Sequence, residues 1–164
     1  MATAVLNEKV ETFKKSIEDI AAVLKNTEET ALFIKPSENE WSAMQIVSHI
    51  LEAVEFWVAD LEALLVVPGA KWGRNHEHVR RLVAVDENVV SRIKKDDAIT
   101  ALQNLVPKVE AALVKVNAED LVKTAPSYNP NFDGKPLSFL VDHLIVKHVT
   151  GHYGQIVRHL EKVR

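Results

Sequence analysis

Apolar residues in this chain recur at intervals of three and four, and nowhere do they alternate over a strand-length stretch. That feature confines the fold to packed helices. A 3.6-residue period gathers apolar side chains on one helical face, whereas a strand would scatter them over both of its faces. From Ala4 to Lys25 the set is Val5, Val10, Phe13, Ile17, Ile20 and Leu24. "KPSENEWS" interrupts it, and Ser42 is placed to cap a second helix running from Ala43 to about Leu65. That helix carries Ile46, Ile50, Ala53, Trp57, Leu61 and Leu64, and "VVPGAKWG" ends it.

Residues 76–94, "HEHVRRLVAVDENVVSRIK", predict a further helix. Asp97 is the expected cap of a third long helix reaching about Val116, with Pro107 expected to kink or restart it. A short turn at Glu119–Leu121 precedes the longest irregular stretch, "KTAPSYNPNFDGK". Pro136 then suits the first turn of a final helix ending near Val163. Four principal helices, each with one apolar face to cover, imply an all-α four-helix bundle with one short additional helix. With 164 residues and no repeat, low-complexity tract or linker, a single domain over 1–164 is expected.

Composition removes several functions. There is no cysteine, so disulfides, zinc-thiolate sites and a protein thiol nucleophile are excluded. The net charge is −3, and the basic pairs Arg80-Arg81 and Lys94-Lys95 sit beside acidic neighbours, a poor footprint for nucleic acid. "MATAVLNEKVETFKK" lacks the basic-then-apolar layout of a signal peptide, and no apolar run approaches bilayer length. A cytoplasmic protein without nucleic-acid or membrane partners is expected.

The chemistry concentrates in "HVTGHYGQ", residues 148–155. His148 and His152 lie four apart, so on a helix only ~40° separates them and both imidazoles reach one space. Spacing alone fits two hydrogen-bonded core-edge histidines equally well, since seven histidines yield about 0.3 such pairs by chance. Register favours a ligand role. Leu137, Val141, Leu144, His148, His152 and Gln155 share a band of ~80° on the last helix. Two partnerless imidazoles facing a bundle interior would each cost about 1–3 kcal/mol, and one shared cation would satisfy both.

A third ligand should come from a facing helix. His49, in "WSAMQIVSHILEAVEFW" among Ile46, Ala53 and Phe56, is the candidate. Three neutral nitrogens without thiolate suit zinc, nickel or iron. Three ligands leave a position open, as in reactive rather than structural sites. Such a cation makes a nucleophile of bound water or thiol near neutral pH. Glu52, three residues after His49, is a weaker candidate as extra ligand, general base or partner of a ligand. Gln155 is a candidate to hydrogen-bond a ligand, and Trp57 and Phe56 to wall an apolar pocket. His143 is expected to be exposed. His159 shares the ligand face but lies about 10 Å along the axis, too far for the same ion. His76 and His78 diverge by ~200° if helical. Gly151 and Gly154 are read as permitting close helix approach, since no phosphate loop or serine elbow is present.

Together, "W-S-x-x-Q-I-x-x-H" (Trp41, Ser42, Gln45, Ile46, His49) and "H-x-x-x-H-x-x-Q-I" (His148, His152, Gln155, Ile156) resemble the DinB-like superfamily over essentially the whole chain. The resemblance implies a four-helix bundle of unusual helix order, with a divalent metal on His49, His148 and His152. It implies a metal-dependent enzyme acting on a small molecule, either an S-transferase using a low-molecular-weight thiol or a hydrolase, and often a homodimer. Between the two, the resemblance leans toward transfer. A non-catalytic helical module with a vestigial or regulatory metal site is the alternative. "KWGRNHEHVRRLVAVDENVV" matches no substrate signature.

Overall fold

Helix α1 (Ala4–Lys25) and helix α2 (Ala43–Val66) follow the first two apolar stripes in a computed structural model that describes residues 4–164. Residues 1–3, which open the N-terminal stretch read for a signal peptide, lie outside the described residues. On α1 the stripe starts at the fully buried Leu6, and Val5 faces out at 55% exposure. Ser42 starts α2 with a reciprocal cap: its hydroxyl accepts from Gln45 N–H at 3.1 Å, and its own N–H donates to Gln45 Oε1 at 2.8 Å.

The following region departs from the expectation of one helix over 76–94. It forms two short helices, α3 (Val79–Ala84) and α4 (Glu87–Val90). Asp86 separates them because its carboxylate accepts the N–H groups of Asn88 and Val89, starting a new helix where the old one would have continued. Helix α5 (Lys95–Leu113) also begins earlier than Asp97. Its cap is supplied from elsewhere: Glu29 Oε2 accepts from Lys95 N–H at 2.6 Å, leaving Asp96 and Asp97 in the first turn, where the helix dipole favours them. Pro107 neither stops nor restarts α5. It sits on the exposed face, as does Gln103, whose carbonyl loses its partner, so water can satisfy that group.

After α6 (Ala118–Leu121), the last helix is built in three pieces end to end. These are α7 (Leu137–Phe139), a π-helical stretch over Leu140–Lys147, and α8 (His148–Val163). The wider turn explains its burial. Residues five apart come together in a π-helix, and Leu140 and Ile145, like Val141 and Val146, are all buried. The core stripe then continues through Val149, Ile156 and Leu160. The uniform band expected from Leu137 to Gln155 is therefore split: Leu144, His148, His152 and Gln155 are half-buried and form a separate strip beside the core.

Both α1 and α2 pack on α5 and on the last helix, so the two consecutive helices sit diagonally across the bundle. Among the described residues there is no strand, only isolated bridges at Trp72–Ser127 and Thr124–Pro136, and no helix is long and apolar enough to cross a membrane.

The two irregular stretches strap to one another beside the bundle. Trp72 exchanges backbone hydrogen bonds with Pro126 and Tyr128, its ring stacks on Phe132 at 5.7 Å, and Asn129 Nδ2 donates to Arg74 O. Gly73 has φ +85° and touches the strap so closely that a Cβ would lie 2.7 Å from Ser127 Oγ. Its N–H donates to Asp60 Oδ2. This clamp fixes the backbone that presents Arg74.

Candidate metal centre

Helices α2 and α8 bring three imidazoles to one point. His49 Nε2 lies 3.2 Å from His148 Nε2, which lies 2.8 Å from His152 Nε2, and one nitrogen from each ring falls within 4.8 Å of the other two. His49 is held deepest, at 4% exposure, because the whole first two turns of α2 are buried. His148 and His152 stand at the edge of the core, one turn apart.

Hydrogen bonding fixes which nitrogen of His152 is free. Gln155 Oε1 accepts from His152 Nδ1 at 2.7 Å, so the proton sits on Nδ1 and the Nε2 lone pair faces the other two rings. Burial keeps all three rings neutral: His49 is pushed down to about 2, chiefly by desolvation and then by His148. His148 is pushed down to about 3 by desolvation and then by His152, and His152 is lowered by desolvation against the opposing effect of Gln155. Neutral imidazole is the form that binds a cation.

Three converging nitrogens cannot satisfy one another, since a single proton at His148 Nε2 serves only one neighbour. Two nitrogens on a tetrahedral zinc at about 2.05 Å lie about 3.3 Å apart, close to the spacings found. The donor set therefore fits a divalent transition cation. His49 Nδ1 and His148 Nδ1 are buried without a protein partner.

The other sequence candidates fall around this cluster. Glu52 turns away from it: its oxygens take Arg74 Nη1 at 2.8 Å and Nη2 at 2.5 Å, with Arg80 Nε at 3.6 Å. Gln155 orients His152, as described. Trp57 walls the pocket over the histidines, whereas Phe56 lies under the Arg74 guanidinium at 4.1 Å. His143 is exposed. His159 is committed elsewhere, donating through Nδ1 to Trp41 O at 2.7 Å. His78 Nδ1 accepts from Arg80 N–H at the start of α3. Gly151 and Gly154 do not serve close packing: a Cβ on Gly151 would meet nothing within 4 Å, and one on Gly154 only the end of Arg158.

The histidines line a pocket of about 320 Å³, whose walls also include Arg74, Asn75, His76, Arg81, Phe132 and Leu144. Sequence reasoning had no role for Arg74 or Arg81. "GRNHEH" carried the signal as an excess of polar and basic residues between two helices, but only the strap through Gly73 shows that the segment folds back over the site.

A bundle whose consecutive first helices sit diagonally, with three histidines from two helices at a pocket floor, defines a class of helical candidate metalloproteins. Residues 12–156 match the model of the DinB superfamily, and the chain belongs to that superfamily. Its fold is similar to that of YfiT from Bacillus subtilis, described as a probable metal-dependent hydrolase with an unusual four-helix bundle topology. The TM-score is 0.74 with 12% sequence identity, covering 99% of this chain and 89% of that one, a likeness of fold. A comparison with curated proteins found no match.

Proposed function

We propose that this chain is a metal-dependent enzyme for a small molecule, with His49, His148 and His152 holding a divalent cation, and that its reaction is hydrolysis. The observation that carries the reading is the convergence of three neutral imidazole nitrogens at the floor of an open pocket, with no fourth His, Asp or Glu in the group among the described residues. A cation held there supplies Lewis acidity, lowering the pKa of water or thiol and polarising a carbonyl. The protein's own part is positional. Gln155 holds His152 in the required tautomer, burial keeps the rings unprotonated, and Trp57 and Phe132 exclude bulk water from one side.

Two considerations support hydrolysis: the fold is that of a protein described as a probable metal-dependent hydrolase, and about 320 Å³ is at the small end for ligand pockets, enough for one small substrate with water. Transfer to a low-molecular-weight thiol is the second reading. A neighbouring pocket of about 400 Å³ shares Arg74 and Asn75 and offers room for a second molecule, and the chain's lack of cysteine requires the thiol to arrive from outside.

Elemental analysis of untagged protein tests the site. About one ion per chain is expected, falling sharply in His148→Ala; equal content in both removes His148 from the centre. Turnover of an ester, amide and lactone panel by metal-loaded protein then separates the chemistries. Activity without thiol supports hydrolysis, and activity appearing only with thiol supports transfer.

A further inference from the structure

Charge around the pocket is unbalanced in one direction. Arg74 and Arg81 both line it, and no carboxylate does among the described residues, although the chain as a whole is acidic at −3. The two arginines differ in what they are bound to. Arg74 is paired, its two terminal nitrogens closed on Glu52, and only its buried Nε lacks a partner. Arg81 is half-buried, with its guanidinium 5.5 Å from the centre of the Trp41 ring, and among the described residues that guanidinium makes a single hydrogen bond, from Nη1 to His76 O at 3.1 Å. Glu52, the acid that acts on it at longer range, already serves Arg74 and Arg80. Arg81 is left with several donors, in a pocket whose other near charge is also positive. Burial and Arg74 both disfavour its charge and lower its pKa. A cation on the histidines would add to the same field.

We infer that the small molecule taken by this pocket carries an oxyanion, a carboxylate or a phosphate, which Arg81 binds beside the histidine cluster. This deepens the proposed function and rests on it for the reacting end of the molecule. The planar fork suits both anions bidentately, and the Trp41 ring lies beside the guanidinium at 5.5 Å. Arg81 is thus a specificity residue for the end of the substrate that does not react.

Calorimetric titration of metal-loaded protein with succinate, inorganic phosphate and neutral succinamide tests this. Wild-type protein should bind at least one of the two anions and not succinamide; which anion binds assigns carboxylate or phosphate as the source. Arg81→Gln should weaken that binding by about ten- to a hundredfold. Arg81→Lys, keeping the charge without the fork, should recover part of it, and metal content should be the same in all three proteins. Wild-type protein indifferent to both anions overturns the inference, as does Arg81→Gln binding as tightly as wild type. The reading of the histidines fails separately. Protein that takes up no metal but binds succinate in an Arg81-dependent manner sinks the metal site alone, and metal-loaded protein that ignores anions sinks only this inference.

Discussion

Replacing Glu52 with Gln probes whether that carboxylate belongs to the bundle's stability or to the metal. The side chains of Arg74 and Glu52 are 3% and 15% exposed, and two charge-assisted hydrogen bonds join them. Arg74 Nε is already buried without a partner, so the guanidinium depends on the bonds Glu52 gives it. Removing one partner of a buried pair costs about 3–5 kcal/mol. The low end applies here, because Gln keeps one acceptor oxygen, Glu52 has some water access, and the cation stays on the Phe56 ring. About 3 kcal/mol corresponds to a fall in Tm of about 6–12 °C for a chain of this size. Urea denaturation should show the midpoint falling with the slope unchanged, while metal stoichiometry stays at the wild-type value. The double variant Glu52→Gln/Arg74→Met should regain part of the loss, since no uncompensated charge is left buried. Lost metal with intact stability would refute the reasoning and put Glu52 on the ion. Unchanged stability would mean that the Arg74 charge is solvated by other means.

Acid should destabilise the metal-free protein in a defined window. His49 and His148 titrate at about 2 and about 3 in the fold, against about 6.5 in an unfolded chain, so the unfolded state takes up protons that the native state refuses. Their contribution is complete above about pH 6.5 and declines as pH falls toward those lowered values, by up to about 1.4 kcal/mol per pH unit for each ring. Denaturation midpoints at pH 7, 6 and 5 should fall, more gently in His148→Asn; a flat profile would contradict the burial argument. Gly151→Ala should stabilise α8 by about 0.5–1 kcal/mol, because the position is exposed and a Cβ there meets nothing. A lower midpoint would show instead that something packs on that face.

The long elements could be read from the chain because period and caps agree there: Ser42 and Gln45 announce α2 locally, and the buried face of α1 follows its apolar spacing. The misplaced start of α5 has a different origin. Its cap is Glu29, 66 residues earlier, and no local pattern carries that information. Residues 76–94 misled through Val79, Leu82, Val83 and Val89, apolar at helical intervals yet exposed, while the carboxylate of Asp86 divided the segment. The histidine pair was legible because four-residue spacing survives in α8. Their flanking position was not, because the π-helical turn ahead of them has no signature in the residues that form it. Arg81 was visible only as half of a basic pair, since its meaning depends on a strap that closes through tertiary contacts.

The wide turn from Leu140 to Lys147 acts as an angular coupling between the two ends of the last helix. Gaining or losing one residue there would rotate one end against the other by roughly a quarter of a turn, swinging the imidazole pair off the axis toward His49 without altering any side chain. The stretch can therefore vary freely in solvent-facing identity, at Lys147 or His143 for example, yet its length is as constrained as the histidines it aims.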